Sequence, residues 1–462
     1  MKANCAPSQT PEFTTFKFPN ADDFRAECDR VGIQLPWSDD LSILAEPITI
    51  AGRTLANRYA IQPMEGVDSE PDGSPSELTR RRYQRFAGGG ASLLWFEAVS
   101  VVRAGRSIGR QLWITPDNVD SYKRLVDETR AIGRAAAGRD PMIICQLTHS
   151  GRWSRPDGTP APIIAQRIPA LDSATHGAEQ HYVTDDEFDA MQEDFLRAAK
   201  LAMQAGFDGV DFKVVHGYLL AELLGAHERP GKYGGSYANR TRFLREGFVR
   251  MRNELGPDAV VTSRLTLLEP SPFPHGWGVK PEIGSTDVDL SEPSRLYKEL
   301  IDWGAPVTNV SLGHPRYQPH LNRPHDQSLA GVGKPPEHPL VGVRRFIDMT
   351  AHAQRLAPQV PLLSAGLSWL RQHIGNVGAG MVKEGMCGFL GLGRMAFALP
   401  DTPKQLMTTG KLEEKVVCIT CSMCSQIMKD GVAETGCVVR DKAVYAPKYA
   451  LGRKAAKAKG LA

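Results

Sequence analysis

The chain has 462 residues, 42% of them hydrophobic, and a formal net charge of only +3. This apolar content is enough to bury a full core, and the nearly balanced charge gives no reason to expect a nucleic-acid partner. Length alone allows up to about three domains, although a single α/β barrel with long loops also reaches this size.

The sequence shows no pattern that is typical of a secretory signal or of a membrane span. The N-terminus has no cationic segment followed by an apolar run, so we expect no secretory signal. No stretch reaches roughly 18 consecutive apolar residues, so we expect neither a membrane span nor a membrane partner. The expected compartment is therefore the cytoplasm.

In chain order, residues 1–43 are mostly polar, and we predict an irregular N-terminal extension that wraps the body of the protein or a partner. From Asn57 onward, short apolar segments alternate with helical patterns. The predicted strands are 59–63, 91–98, 141–147, 208–213, 259–265, 307–312, 361–364 and 388–392. The predicted helices are 76–87, 118–137, 184–206, 238–255, 293–303, 339–356 and 368–384.

Most of these strands are continuously apolar, which is typical of a parallel sheet buried on both faces. Eight strand–helix units predict an α/β fold, a closed (β/α)8 TIM barrel over residues 44–410. A short Cys-rich segment with a basic tail follows at 411–462. A doubly wound open sheet is the alternative, but no Gly-x-Gly-x-x-Gly fingerprint follows the first strand.

Several predicted strands end in polar or small residues that a purely structural strand does not need. Barrel enzymes carry their chemistry at these carboxyl ends of the strands. Glycines there let backbone amides approach a phosphate, and a neighbouring arginine neutralises its charge, so the last two strands predict a phosphorylated cofactor. The residues concerned are Gln146, Lys213, His216, Tyr218, Arg264, Gly366, Gly393 and Arg394.

The segments 146–152, 208–236 and 393–394, in this order, resemble the old yellow enzyme family of FMN-dependent oxidoreductases. The resemblance runs from about Leu44 to Leu406. It implies a (β/α)8 barrel, a bound FMN, NAD(P)H as cosubstrate and a small-molecule substrate. We also expect a homo-oligomer.

The resemblance implies roles for the residues near the flavin ring. Pro63 and Met64 resemble the turn that lies along the flavin, and Ala98 resembles the position near the ring. Gln146 is similar to the amide that reads the pyrimidine edge. Arg264 is similar to the cation beside flavin N1 and O2, where a fixed positive charge stabilises the anionic reduced flavin.

The resemblance also implies a phosphate cradle and a proton donor. Gly366, Gly393 and Arg394 resemble the cradle of the flavin phosphate. Tyr218 matches the family's proton-donating tyrosine, and a phenol that stays protonated at neutral pH can act as a general acid.

Two positions depart from the family pattern. The family usually has histidine at Lys213, followed by His or Asn at His216, and this pair grips the oxygen of the substrate. A lysine still donates to that oxygen, so we expect activation to be retained and substrate choice to change. Glu65 stands close to the flavin, where Thr or Cys is common, and a carboxylate there is costly unless paired or protonated. We therefore predict that Glu65 and Lys213 compensate one another.

Four of the eight cysteines lie together near the C-terminus: Cys418, Cys421, Cys424 and Cys437. They suit a [4Fe–4S] cluster or a tetrahedral zinc ion, and unligated thiols are the remaining alternative. The segment resembles the cluster site of the 2,4-dienoyl-CoA reductase and trimethylamine dehydrogenase branch, with the third cysteine shifted by one position. That branch continues into a second flavin- and nucleotide-binding domain. Because this chain ends at Ala462, we expect a cluster either to exchange electrons with a separate redox partner protein or to be structural.

The leading prediction is an ene-reductase that uses FMN and NAD(P)H to reduce an activated C=C bond. One alternative is an amine or N-methyl dehydrogenase that passes electrons through an iron–sulfur cluster. Another is a lyase or aldolase that forms a Schiff base on Lys213. Rapid bleaching of the flavin by NAD(P)H distinguishes the first from the second.

Overall fold

A computed structural model describes residues 13–172, 178–432 and 434–458. Its central sheet has eight parallel strands, and each begins at most two residues after its predicted start. The strands are Tyr59–Ile61, Leu93–Ser100, Met142–Thr148, Gly209–Val214, Val260–Leu268, Thr308–Leu312, Leu362–Leu363 and Leu390–Leu392. We number these barrel strands one to eight.

The sheet closes on itself. Barrel strand eight pairs in parallel with barrel strand one. On its other side, a parallel bridge joins Leu363 of strand seven to Phe389, the residue before strand eight. The predicted (β/α)8 barrel is therefore confirmed. Closure brings the carboxyl ends of all eight strands to one rim.

Seven helices of the outer layer match the predicted ones. They are Glu77–Gly88, Val119–Ala137, Asp185–Gln204, Arg242–Leu255, Ser291–Asp302, Pro339–Leu356 and Ile374–Lys383. The predicted start at Thr184 is a capping box, in which its side chain and that of Glu187 each accept from the other's backbone N–H. The predicted helix 238–255 is divided at Thr241, whose hydroxyl donates to the Tyr237 carbonyl oxygen; such back-bonding bends helices.

The remaining elements are short and lie in loops or at the ends of the chain. A hairpin, Ile48–Ile50 with Arg53–Leu55, packs Ile50 and Leu55 against barrel residues that include Trp95 and so closes the amino end of the barrel. The other short elements are Ser42–Ala45, Arg103–Gly105, Gly151–Trp153, Ile163–Ile164, Pro169–Asp172, His181–Tyr182, Leu219–Leu224, Tyr237–Arg240, Pro319–Asn322, Leu367–His373, Arg394–Ala398 and Thr402–Thr409.

The N-terminal extension is not irregular throughout, so that prediction is wrong for part of it. A helix, Ala21–Val31, begins at Asn20, whose side chain accepts from the Asp23 backbone, and ends before the left-handed Gly32. Phe24, Cys28 and Val31 recur at helical spacing and are buried. The extension packs on the barrel through aromatic rings, since the ring centroids of Phe24 and His373 are 4.8 Å apart.

The Cys-rich segment also folds onto the barrel and contains helices Met423–Lys429 and Lys442–Ala458. The basic tail is helical up to Ala458. The Asp441 carboxylate accepts from Arg81 of the first outer helix at 2.7 Å. The Thr435 backbone N–H donates to the Gly66 carbonyl oxygen at 2.6 Å, so the segment touches the loop after barrel strand one. None of the helices in the described ranges is long and apolar enough to cross a membrane.

Candidate active site

Strand register brings the predicted residues together at the carboxyl rim. Ala98 is the register partner of Gln146 on adjacent strands. Lys213 is the register partner of Arg264 on the next pair. Because register partners on parallel strands point to the same face, these four residues form one continuous patch inside the rim.

Lys213 and Glu65 form a buried ion pair, as the sequence predicts. The side chains of Lys213 and Glu65 are only 3% and 10% exposed. The Lys213 Nζ also lies 3.9 Å from the centroid of the Tyr218 ring, a cation–π contact. Glu65 Oε2 is buried and has no hydrogen-bond partner among the described residues. The Lys213 ammonium therefore contacts both the Glu65 carboxylate and the Tyr218 ring.

A buried network behind Glu65 holds its loop, and this network is not apparent from the sequence pattern. The Gly66 N–H donates to Glu97 Oε2 at 2.7 Å, and Glu97 Oε1 accepts from Arg82 at 2.6 Å. Arg82 also donates to Asp68 at 2.9 Å. A Cβ on Gly66 would lie 2.1 Å from the Arg82 guanidinium, so a side chain there would displace Arg82. Burial raises the pKa of Glu97 to about 7. The one sequence signal is a charged residue, Glu97, inside an apolar strand.

A second buried network orients Gln146. The Asp211 carboxylate accepts from Trp95 Nε1 and from Gln146 Nε2, each at 2.6 Å, and from the Arg264 backbone N–H at 2.5 Å. Burial raises the pKa of Asp211 to about 6. Because the Gln146 amide nitrogen faces Asp211, its Oε1 is left buried without a hydrogen-bond partner in the described chain. This oxygen is a free acceptor for a ligand N–H.

Arg264 has a buried guanidinium whose Nε is left free by the described chain. The residue is 8% exposed, and its Nε has no partner among the described residues. Burial lowers the pKa of Arg264 to about 10, while Asp211 and Glu65 oppose that shift. The guanidinium is therefore charged at neutral pH. A desolvated cation of this kind is stabilised when an anionic or carbonyl oxygen accepts from it.

His216 lies at a turn held by Glu269. Its φ angle of 67° is in the left-handed region, where a residue with a side chain is strained. The Glu269 carboxylate accepts from the His216 N–H at 2.9 Å and from the Gly217 N–H at 3.3 Å. Burial, and then Arg264 and Lys213, lowers the pKa of His216 well below its usual value, so the ring is neutral. Its Nε2 lies 3.2 Å from Ser311 Oγ. Sequence reasoning missed both Glu269 and Ser311.

Two arginines lie at the far side of the rim, and neither forms an ion pair with an acid of the described residues. Arg394 Nη2 donates to the Pro324 carbonyl oxygen at 2.6 Å, and its Nη1 is buried with no partner in the described ranges. The Nε of Arg323 is also buried and unpartnered. Because Arg394 contacts Pro324, the residue after Arg323, the two cations lie close together. Burial, and then Arg394, lowers the pKa of Arg323 to about 10. A pair of adjacent cations is stabilised by an anion. Arg323 comes from the long loop after strand six and is missed in the sequence analysis.

The remaining predicted residues of this region are small or apolar. A Cβ on Gly393 would meet only the Met64 sulfur, at 3.5 Å, so space is open there. Gly366 has a φ of 77°, and its Cβ position is filled by the Phe346 ring. Pro63 and Ala98 are buried at the ends of strands one and two. These positions offer backbone and apolar contacts rather than charge.

All four C-terminal cysteines line one small cavity together with Arg394 and Phe397. The Thr420 N–H donates to the Cys418 sulfur at 3.4 Å, and the Arg440 N–H donates to the Cys437 sulfur at 3.3 Å. Burial raises the pKa of Cys418 to about 12. No three metal-binding side chains of the described ranges are close enough together to hold an ion. The predicted grouping of thiols is present, whereas ligation stays a prediction.

Known proteins resemble this chain in sequence and in fold. The model of the NADH:flavin oxidoreductase / NADH oxidase family matches residues 43–275. The chain is 26% identical over 380 residues to an NADH oxidase of Thermoanaerobacter brockii, a match that covers 81% of this chain and 52% of the relative. It is 34% identical over 382 residues to putative 12-oxophytodienoate reductase 3 of Oryza sativa subsp. japonica, with 80% and 87% covered.

Among solved structures, a 2-naphthoyl-CoA reductase in complex with 2-naphthoyl-CoA has the same fold, with a TM-score of 0.71 at 19% identity. That match covers 89% of this chain and 58% of the other. In length, the chain spans about half of the Thermoanaerobacter relative described above. By its family match and its barrel, the chain belongs to the NADH:flavin oxidoreductase / NADH oxidase family.

Proposed function

We propose that the protein is an FMN-dependent oxidoreductase that reduces an activated C=C bond with NAD(P)H as the hydride donor. The observation that carries this proposal is the buried Lys213 ammonium against the Tyr218 ring, with a register partner, Arg264, whose Nε has no hydrogen-bond partner within the described chain. A cation and a phenol placed together can polarise a carbonyl group and deliver a proton beside it.

The residues at the rim fit FMN. Gln146 Oε1, Arg264 Nε and Arg394 Nη1 are each buried without a partner in the described ranges, and they supply an acceptor and two cations. The polar edge of a flavin can donate to Gln146 Oε1 and accept from Arg264. The flavin phosphate can accept from Arg394 and Arg323. Pro63, Met64 and Ala98 would line the ring, and Gly366 and Gly393 would flank the phosphate. Bound FMN supplies hydride transfer, which no side chain of the protein can provide.

The side chains would bind the substrate, position the Lys213 ammonium and donate the proton. Lys213 and His216 would hold the substrate oxygen, and the ammonium would stabilise the enolate charge that develops there. Glu65 would fix the position of that ammonium through the ion pair. Tyr218 would give its phenolic proton to the α-carbon. His216 acts as a neutral imidazole, because burial lowers its pKa.

In a test on protein purified without air, NADPH or NADH is expected to bleach the flavin, and an α,β-unsaturated ketone to restore its colour. Tyr218→Phe removes the proton donor, so we expect reoxidation by the ketone to slow about 10²–10⁴-fold. Bleaching by the nicotinamide should change far less. Tyr317→Phe is the control, because Tyr317 packs against the same apolar cluster.

Two results would overturn the proposal. Bleaching by an amine such as trimethylamine, with no response to NADPH or NADH, would indicate the dehydrogenase. A colourless protein in which borohydride traps a carbonyl compound on Lys213 would indicate the Schiff-base lyase.

We further propose that Cys418, Cys421, Cys424 and Cys437 hold a [4Fe–4S] cluster that exchanges electrons with a separate redox partner. Their shared cavity and the N–H groups directed at two of the sulfurs support this, since such hydrogen bonds accompany thiolate ligation. Zinc is the alternative metal for four thiolates.

Replacement of Cys421 by serine is expected to remove most of the iron and acid-labile sulfide from anaerobically purified protein. Cys28→Ala is the control, since Cys28 is a buried thiol of the N-terminal helix. Iron, sulfide and zinc analysis with electron paramagnetic resonance of the reduced protein provides the measurement. About four irons per chain in the wild type would support the cluster, and stoichiometric zinc would support the other metal. A protein that contains neither iron nor zinc would contradict metal ligation by these cysteines.

A further inference from the structure

We propose that the acceptor substrate carries a carboxylate that binds Arg316 above Tyr218. This inference rests on the proposed reduction of an activated double bond. It names the class of substrate as a short α,β-unsaturated carbonyl compound with a second, anionic group.

Arg316 is held over the site by aromatic rings. Its guanidinium carbon lies 4.7 Å from the centroid of the Trp153 ring and 6.0 Å from that of the Tyr218 ring. Trp153 is itself fixed, because its indole N–H donates to the Gly217 carbonyl oxygen at 3.0 Å. A guanidinium stacked on aromatic faces keeps its N–H groups free for hydrogen bonds in its own plane.

The positive charge above Tyr218 has no balancing acid in the described part of the chain. Neither Arg155 nor Arg316 makes an ion pair there. The acids of the same loops are engaged elsewhere: Asp157 with Arg103, and Asp172 and Glu222 with Arg152. Burial, and then Arg316, lowers the pKa of Arg155, so these two cations repel one another. An anion bound to Arg316 would relieve that repulsion.

His314 adds a hydrogen-bond donor beside Tyr218. Its Nδ1 accepts from the Arg316 backbone N–H at 3.1 Å. Burial lowers the pKa of His314 to about 3, so the ring is neutral and its one proton is on Nε2. That nitrogen is buried without a partner among the described residues, in a side chain only 2% exposed. A Cβ on Gly217 would lie 2.1 Å from it, so the ring lies directly against the residue before Tyr218.

The position of Arg316 determines which anion fits. Only 6.0 Å separates its guanidinium carbon from the Tyr218 ring centroid, so the bound anion lies within a few bonds of the carbon that receives the proton. The phosphates of a nicotinamide dinucleotide or of a CoA thioester are much farther from the reacting atoms. A carboxylate on a short acceptor therefore fits best.

The test uses the FMN-loaded enzyme and a matched pair of acceptors, 4-oxopent-2-enoate and its methyl ester. We expect the wild type to prefer the carboxylate by at least about tenfold in kcat/KM. In Arg316→Gln, this preference should fall about 10–100-fold, the value of one charged hydrogen bond. Arg295→Gln is the control, because Arg295 is also stacked on a tyrosine ring but lies on an outer helix; the preference should stay unchanged.

Binding separates this inference from the proposed reaction. The carboxylate should perturb the flavin absorption of the oxidised wild type, and Arg316→Gln should weaken that binding by the same factor. Binding without turnover of either acceptor would overturn the reductase and leave the anion site standing. Equal kcat/KM for acid and ester, no binding of the acid, or a defect of Arg316→Gln confined to NADPH would overturn the anion site.

Discussion

Lys213→Met is expected to lower the free energy of unfolding by about 3–5 kcal/mol, because it leaves the Glu65 carboxylate buried and without its partner. Loss of the ammonium should also lower kcat/KM for an α,β-unsaturated ketone about 10²–10³-fold, since a donor to the developing oxyanion is removed. Denaturant unfolding and steady-state kinetics of the same preparation measure the two effects.

The double variant Lys213→Met with Glu65→Gln separates these effects. Without a buried charge it should regain most of the lost stability, whereas activity should stay low. Lys200→Met is the matched control, because Lys200 pairs with Glu254 at the surface at 2.9 Å; such exposed pairs contribute at most about 1 kcal/mol. A stable Lys213→Met enzyme with wild-type kinetics would show that the pair has neither role.

Arg264→Met is expected to slow reduction of the bound flavin by NAD(P)H about 10²–10³-fold. Arg264 is the buried, charged guanidinium whose Nε lacks a partner in the described chain, and its loss would remove about 2–4 kcal/mol of stabilisation from negative charge on the reduced flavin. Anaerobic stopped-flow absorbance measures the rate. Redox titration should show a more negative flavin potential.

Arg264→Lys keeps the charge but not the planar fork, so an intermediate rate is expected. Because the Arg264 backbone N–H still donates to Asp211 in every variant, the barrel should unfold at nearly the wild-type denaturant concentration. Wild-type potential and rate in Arg264→Met would rule out a contact between this residue and the flavin.

Charge balance explains one accurate prediction at the site. A carboxylate at Glu65 near a ligand pocket needs a partner, and Lys213 is the one cation of the strand-four tip, so the pair follows from physical chemistry without coordinates. The N-terminal helix shows the opposite case. Its apolar positions, Phe24, Cys28 and Val31, are too few to stand out among polar neighbours, and it is the aromatic surface of the barrel that stabilises them.

The sequence by itself determined the barrel and its strand tips, because periodicity, capping and continuous apolar runs are local and appear in order along the chain. Only the tertiary structure decided which side chains meet across loops. The Asp68–Arg82–Glu97 network, the orientation of the Gln146 amide by Asp211 and the approach of Arg323 to Arg394 each join distant segments. Barrel closure brings these segments to one rim, and the cost of burying an unpaired polar group then selects the partners.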